Sequence, residues 1–232
     1  MKIAVMQPYF LPYIGYFQLM AAADKFVTFD DVNYIKGGWV NRNRLLLNGA
    51  PHTFTVPVRG ASQNRRISDH ELADDPGWRQ NLLHTIRLAY RRAPYYEAAS
   101  GFFERVILYP GVQLADFLRN SLNEVLSYLA LDVDIVGTSG VYRNAHLKGA
   151  QRILDICRRE QARTYINPIG GVELYDRETF AREGVELRFL RSRPVAYPQG
   201  KGEHVPWLSI LDVIMFNDPG RIRELIMERD LV

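Results

Sequence analysis

Residues 2–29, KIAVMQPYFLPYIGYFQLMAAADKFVTF, decide the fold class. Residues 2–6 form an apolar run that ends at a Gln-Pro pair, which predicts a buried β-strand. Residues 13–23 carry an apolar face and predict a helix, and residues 25–29 are rich in β-forming side chains and predict a second strand. A strand, a helix and a strand in this order indicate a βαβ unit with parallel strands.

The next segment predicts a β-hairpin. Residues 44–47 and 52–58 alternate in the manner of strands on either side of Asn48 and Gly49. An Asn-Gly pair favours a type I′ turn, because both of its central positions need a positive φ.

The middle of the chain predicts helices, and the α/β alternation returns after it. Pro76 suits a first helical turn, and apolar side chains then recur at helical spacing. Further strands and helices follow, with strands predicted at residues 134–136, 164–166 and 186–190 and helices at 146–159, 176–183, 209–216 and 219–229. We therefore expect one α/β domain over residues 1–232. Its mainly parallel Rossmann-like sheet has flanking helices, an added β-hairpin and a helical cap or flank at about residues 76–130.

Composition narrows the class of protein. The chain has 232 residues, of which 47% are hydrophobic and 24% charged, and this balance is typical of a folded core. One cysteine allows no internal disulfide. We find no basic segment followed by an apolar stretch and no run of about 18 apolar residues, so we expect a cytoplasmic protein without a membrane span.

The loop at residues 7–16 is the first candidate binding segment. It joins a strand end to a helix start, which is where open α/β sheets bind ligands. Its two prolines, glycine and aromatic side chains would make a stiff apolar wall, and the alternative is a rigid loop that only covers the core. The substrate-binding candidates here are Gln7, Tyr9, Tyr13 and Tyr16.

Residues 30–44 follow the second predicted strand and carry more polar groups than a turn needs. Asp30 and Asp31 are adjacent carboxylates, so one of them could have a raised pKa and act as a general base. They could equally bind an amine or a metal, or belong to a hydrated loop. With Lys36 they are the catalytic candidates, and the binding candidates of this segment are Trp39, Asn41, Arg42 and Arg44.

Two later segments complete the candidates. In residues 165–175 a strand ends in a glycine-rich turn that could hold an anion through backbone N–H groups, which adds Asn167, Gly170 and Gly171. In residues 207–217, Ser209 and Asp212 have the spacing of a helix capping box, and we prefer that interpretation to a catalytic pair.

Other classes of site lack their motifs. The five histidines are scattered, so no metal site is expected. No dinucleotide, P-loop or GxSxG motif occurs. Arg87, Arg91 and Arg92 form a basic face, but no nucleic-acid motif accompanies them and nucleic-acid binding is not expected.

Taken together and in this order, the candidate segments resemble the WbqC-like protein family. The segments that carry the resemblance are Gln7-Pro8-Tyr9-Phe10, Gly15-Tyr16-Phe17, Asp30-Asp31, Trp39-Val40-Asn41-Arg42-Asn43, Tyr165-Ile166-Asn167-Pro168-Ile169-Gly170-Gly171 and Leu208-Ser209-Ile210-Leu211-Asp212. The resemblance implies a context of O-antigen, capsule or other surface-polysaccharide synthesis, or of secondary metabolism. Some members are described as glycyl or acyl transferases that act on amino sugars.

A looser resemblance links the first strand, loop and helix to nucleotidylyltransferases and pantothenate synthetase. Those enzymes carry a His-x-Gly-His motif at the start of the helix. This chain has Tyr13-Ile14-Gly15-Tyr16 there, and the absence of both histidines argues against adenylyl transfer. The strand–loop–helix geometry could still bind a nucleotide.

Our leading hypothesis is an acyl- or aminoacyltransferase that forms an amide on an amino sugar or related amine. Asp30 or Asp31 would hold or deprotonate the amine, and Arg42 and Arg44 would bind a phosphate or carboxylate. Backbone N–H groups near Gly170 and Gly171, with Asn41 or Asn167, would hold a developing oxyanion. The partner would be a small anionic or amino-sugar substrate, and the co-substrate would be an acyl-CoA or a nucleotide-linked compound. The alternatives are an ATP-using ligase or nucleotidyltransferase and a non-catalytic binding protein of a biosynthetic complex.

Overall fold

The computed structural model describes residues 1–200 and 202–232. Six strands form the main sheet, and they are β1 (Lys2–Met6), β2 (Lys25–Thr28), β5 (Asp134–Val136), β6 (Thr164–Pro168), β7 (Glu186–Ser192) and β8 (Arg229–Leu231). Their order across the sheet is β5-β2-β1-β6-β7-β8. β8 runs antiparallel to β7, and the other neighbours pair in parallel. The mainly parallel α/β sheet predicted from the sequence is confirmed.

The remaining two strands form the hairpin that the Asn-Gly pair predicts. β3 (Arg42–Leu47) and β4 (Ala50–Thr55) pair antiparallel, with Leu47 opposite Ala50. The φ angles of Asn48 and Gly49 are 53° and 78°, as a type I′ turn requires.

The helices agree with the predicted pattern to within a few residues. They are α1 (Ile14–Ala22), α2 (Trp78–Tyr90), α3 (Tyr96–Ile107), α4 (Leu114–Tyr128), α5 (Gly149–Arg159), α6 (Arg177–Arg182), α7 (Ile210–Phe216) and α8 (Pro219–Met227). Short 3-10 helices occupy Ile67–Asp69, Ser139–Tyr142 and Ile169–Leu174. Within the described ranges, no helix combines the length and apolar character needed to cross a lipid bilayer.

The main sheet separates two apolar layers. Along β1, Ala4 belongs to the larger layer while Ile3 and Val5 belong to the smaller one, as the two-residue period of a strand dictates. The larger layer packs the hairpin with helices α1 to α4, α7 and α8, and the smaller layer packs α5 and α6. Helices α2 to α4 therefore belong to the same apolar layer as α1.

The connections that follow β1 and β6 leave the sheet in opposite directions. β1 leads to α1 on the larger-layer face and on to β2, whereas β6 leads to α6 on the smaller-layer face and on to β7. Because β1 and β6 are neighbours, a crevice opens between the two connections at the carboxyl ends of these strands. Such a switch point is the usual ligand site of an open α/β sheet.

The prediction of a helix over residues 219–229 is wrong at its end. α8 stops at Met227, and Arg229–Leu231 forms β8 on the edge of β7. The backbone of Phe189 exchanges two hydrogen bonds with that of Val232, so the open edge of β7 determines the conformation of the last residues.

Candidate functional site

A pocket of about 450 Å³ lies at this switch point. Its wall is formed by Tyr9, Pro12, Tyr13, Trp39, Asn43, Arg44, Pro168, Ile169, Gly170, Leu190, Ser192 and Trp207. These residues come from the loops after β1 and β6, from the end of β7, from the start of the hairpin and from the connection that precedes α7. The volume falls in the usual range for a small-molecule site.

Aromatic rings form much of the pocket wall. Trp39 and Trp207 remain 44% and 43% exposed, so both have ring surface that a ligand can cover. The Trp207 ring packs edge-on against Tyr13, with ring centroids 5.8 Å apart. Trp207 has a φ of 61°, an uncommon backbone conformation for a bulky side chain. The surrounding structure holds it there, and observed strain of this kind is concentrated at ligand sites.

Asn43 ties the two loops of the pocket together. Its side-chain Nδ2 donates to the carbonyl oxygens of Leu11 at 2.7 Å and of Phe10 at 3.3 Å, and its Oδ1 accepts from the N–H of Arg44. The loop after β1 is therefore fixed against the first residues of β3. Our sequence prediction missed Asn43, although it lies in the Trp39–Asn43 segment that carries the family resemblance.

Two arginines lie beside Trp39. The guanidinium carbons of Arg42 and Arg44 are 5.5 and 5.4 Å from the Trp39 ring centroid. Arg44 donates to the carbonyl oxygen of Trp207 at 3.4 Å, and its buried Nε has no partner among the described residues. Arg42 donates from Nε to the carbonyl oxygen of Gly38 at 2.8 Å and from a terminal nitrogen to that of Gly37.

Asp30 and Asp31 lie in the loop that follows β2 and are not part of the pocket wall. Asp30 accepts from Thr138 Oγ1 at 2.8 Å and from the N–H of Ser139 at 3.1 Å. Burial raises the pKa of Asp30, and these hydrogen bonds oppose that rise. Asp31 accepts from Ser139 Oγ and forms an ion pair with Arg152, and both members of the pair are buried.

Several other candidates hold loops in place. Tyr16 is buried and its hydroxyl donates to the carbonyl oxygen of Gln7, while burial raises the pKa of this phenol well above 10.0. The Asn41 amide bonds the Tyr34 hydroxyl and the carbonyl oxygen of Val56. None of Gln7, Tyr16 and Asn41 is part of the pocket wall.

The candidate residues in the loop after β6 also lie partly on the pocket wall and partly outside it. Gly170 lies on the pocket wall, whereas Asn167 and Gly171 do not. A methyl group on Gly171 would overlap the Asn167 amide, so this glycine leaves room for that side chain. Lys36 is exposed in the turn before Trp39 and also lies outside the wall. The pocket thus gathers Tyr9, Tyr13, Trp39, Arg44 and Gly170 from our candidates.

Ser192 and Trp207 were also missed from the sequence. Ser192 Oγ is buried beside the Tyr13 hydroxyl, where burial raises the pKa of that phenol and a hydrogen bond with Ser192 opposes the rise. Ser192 ends β7, where the sequence carries no motif. Trp207 directly precedes the Leu208–Asp212 segment of the resemblance, so an aromatic residue at that boundary was the available signal.

Ser209 is the N-cap of α7, but Asp212 is not its capping-box partner, and that prediction is wrong. Ser209 Oγ accepts from the N–H of Leu211. The buried Asp212 carboxylate instead accepts from Tyr90, Tyr197 and Gln199, at 2.7, 2.7 and 2.6 Å. It therefore links α2 and α7 to the connection that carries Trp207.

Comparison with known proteins relates most of the chain to a protein family and to a curated relative. The model of the WbqC-like protein family matches residues 7–224. The uncharacterized protein Rv1507c of Mycobacterium tuberculosis is 26% identical over 218 residues, which cover 93% of each chain. No solved structure matches.

Proposed function

Because this chain belongs to the WbqC-like protein family, we propose that it is an acyl- or aminoacyltransferase that forms an amide on an amino sugar or a related small amine. The transferred group would be glycyl or a similar acyl group, and the product would enter a surface polysaccharide, such as an O-antigen, or a secondary metabolite. The observation that carries the proposal is the aromatic pocket at the switch point of the sheet. A location in the cytoplasm is part of the same proposal.

The wall of the pocket suits a sugar ring. The apolar face of a sugar packs well against aromatic side chains, and Trp39, Trp207 and Tyr13 provide such surfaces. The Tyr9 and Tyr13 hydroxyls complement the polar edge of a sugar. Burial raises the pKa of both phenols, so both remain neutral hydrogen-bond donors at neutral pH.

Amide formation needs an uncharged amine and a means to stabilise the oxyanion that forms at the acyl carbon. No carboxylate or imidazole belongs to the described wall of the pocket, so the wall has no obvious general base. The Arg44 guanidinium supports both requirements. A positive charge nearby lowers the pKa of a bound amine, which favours its nucleophilic form, and it also attracts a developing oxyanion.

This proposal revises the role of the two aspartates. Asp30 and Asp31 are engaged by Thr138, Ser139 and Arg152, which supports a role in positioning the neighbouring loop. In the revised proposal neither carboxylate contacts the amine. The donor would be an acyl-CoA or a nucleotide-linked acyl group.

The same lack of an acid or base in the described pocket wall favours a second candidate, which is a binding protein without catalysis. The experiment that separates the two is an amide-formation assay. The purified protein is incubated with amino sugars and either acyl-CoA donors or glycine with Mg-ATP, and the products are identified by mass spectrometry. Product formation with acyl-CoA supports the transferase, and formation that requires Mg-ATP supports an ATP-using ligase instead.

Variants connect the product to the pocket. Trp207→Ala removes one wall of the pocket, and Leu88→Ala removes a similarly exposed apolar side chain elsewhere. We expect the first variant to lose product formation and the second to retain it. If an amino sugar binds to the pocket but no donor yields an amide, the binding protein replaces the enzyme as the proposed function.

A further inference from the structure

The two positive charges beside Trp39 have no negative partner in the described structure. Neither Arg42 nor Arg44 has a carboxylate oxygen within 4.0 Å among the described residues, whereas many other arginines form ion pairs. Both arginines are only partly exposed. A partly desolvated guanidinium gains from a charge-assisted partner, and these two guanidinium groups lie side by side without one.

The turn before Trp39 fixes the position of Arg42. The N–H of Gly38 donates to the carbonyl oxygen of Ile35 at 3.0 Å, and Gly37 has a φ of 77°, which few residues other than glycine adopt. The carbonyl oxygens of Gly37 and Gly38 then accept from the Arg42 guanidinium. Since a guanidinium has five N–H donors, Arg42 keeps others for a ligand.

Arg44 has more unused hydrogen-bonding capacity than Arg42. Its guanidinium makes one long hydrogen bond, to Trp207 at 3.4 Å, and its Nε is unpartnered. Its contact with the half-exposed Trp39 ring is a weak cation–π interaction. Charge-assisted hydrogen bonds are stronger than such a contact, so the ring does not replace an anionic partner.

We propose that the mouth of the pocket beside Trp39 is a phosphate subsite. A phosphate of the ligand contacts Arg44 as its principal donor, Arg42 supplies the second positive charge, and the ring attached to the phosphate enters the aromatic pocket. A phosphomonoester carries about 1.5–2 negative charges at pH 7, which matches two guanidinium groups better than one carboxylate does. This inference rests on the proposed function only for the identity of the ring.

The phosphate can belong to a sugar phosphate or to a nucleotide, and two matched pairs of probes distinguish these sources. Binding of glucosamine is compared with that of glucosamine 6-phosphate, and binding of uridine with that of uridine monophosphate, by isothermal titration calorimetry. We expect the phosphate to increase affinity by about ten- to hundredfold in at least one pair. The pair that responds identifies the source. If the phosphate increases affinity in neither pair, the subsite is excluded.

Substitution assigns the effect to these arginines. Arg44→Met retains the apolar stem and removes the charge, and Arg42→Met does the same beside it. We expect Arg44→Met to abolish the advantage of the phosphorylated probe, Arg42→Met to reduce it, and Arg44→Lys to retain part of it because the charge remains. Arg91→Met is the control, since Arg91 is exposed at the end of α2.

Arg44 also contacts Trp207, so the affinity for the probe without phosphate is measured for each variant. An Arg44→Met variant that weakens both members of a pair equally has altered the pocket as a whole, and that result contradicts the subsite. Because these titrations need no turnover, they are independent of the reaction. Discrimination for phosphate without amide formation rejects the proposed reaction and retains the subsite, and amide formation without such discrimination does the reverse.

Discussion

At the scale of single residues, two glycines beside the pocket differ in the space that an added methyl group would find. A methyl group on Gly15 would overlap Ser192 Oγ and the Tyr13 ring, whereas one on Gly170 would have no atom within 4 Å. Helix propensity alone favours alanine over glycine in α1 by about 1 kcal/mol. We nevertheless expect Gly15→Ala to lower the free energy of unfolding by about 1–3 kcal/mol, because overpacking has that cost. Urea denaturation measures it, with Gly170→Ala as the near-neutral control, and a Gly15→Ala protein as stable as wild type would contradict the prediction.

The ion pair between Asp31 and Arg152 gives a second prediction at this scale. Both side chains are buried, at 7% and 6% exposure, so removal of one charge leaves the other without compensation. We expect Arg152→Met to reduce stability by about 3–5 kcal/mol. The matched control is Arg182→Met, since the pair of Arg182 with Glu178 is 74% and 80% exposed and should contribute little. Equal effects of both substitutions on chemical denaturation would contradict the structural role of Asp31.

The difference between these residues explains how much of the site could be predicted. The aromatic side chains of the loop after β1 predict a binding site at this edge of the sheet, and Tyr9 and Tyr13 do line the pocket. Asp31 resembles a catalytic residue in the sequence because nothing near it indicates its ion pair with Arg152, which lies 121 residues away. Local patterns identify the edge of the sheet where polar loops meet. They do not show which side chains are neutralised by distant partners.

At the scale of secondary-structure elements, the hairpin turn requires a left-handed backbone conformation at two successive residues. Gly49 has a φ of 78°, and no atom lies within 4 Å of the position of an added methyl group. We expect Gly49→Ala to lower the free energy of unfolding by about 1–2 kcal/mol through backbone strain alone. The matched control is Gly170→Ala, because an added methyl group on Gly170 also meets open space but this glycine does not adopt a positive φ. An unchanged denaturation midpoint for Gly49→Ala would show that the turn can relax.

Asp212, which links α2 to α7, makes a contribution to the stability of the fold that depends on pH. Burial raises the pKa of this carboxyl above 3.8, while hydrogen bonds from Tyr197, Tyr90 and Gln199 oppose the rise. The folded protein therefore holds this proton more tightly than the unfolded chain. The carboxyl contributes stability that is fully present below its unfolded pKa and is lost as the pH rises through the folded pKa.

Asp212→Asn removes this titration together with part of the hydrogen bonding. We expect the variant to be less stable than wild type, and we expect the deficit to widen as the pH is lowered from about 7.5 to about 4.5. Denaturant unfolding at both pH values measures the difference. Asp176→Asn should show no such widening, because hydrogen bonds from Thr179 lower the pKa of Asp176 below 3.8, and its contribution is lost only in acid stronger than about pH 4.5. A deficit that narrows in acid would contradict the prediction for Asp212.

The elements themselves were predictable where they are set locally. Residues 134–136 and the Asn-Gly hairpin were identified correctly, because β-forming side chains and turn residues suffice there. The last strand was not, because Arg229–Leu231 becomes a strand only through its pairing with β7. A local helical pattern in the sequence does not show that a distant strand will offer a free edge for pairing.

The two apolar layers of the whole molecule share one sheet, so we expect them to unfold together. Loss of either layer exposes the strands on which the other packs. Tryptophan fluorescence observes Trp39, Trp78 and Trp207, of which Trp78 lies in the larger layer, while far-UV circular dichroism observes helices of both layers. Urea curves from the two signals should superimpose. Two separate midpoints would show that the smaller layer opens alone.

The pocket draws its wall from residues as distant in sequence as Tyr9 and Trp207. During translation, the first residues of the pocket wall are synthesised long before the last ones. At about 5–20 residues per second, Trp207 follows Arg44 by roughly ten to thirty seconds. A nascent chain that still lacks Trp207 therefore lacks one wall of the pocket, and ligand present during synthesis can use the complete pocket only after translation has passed this residue.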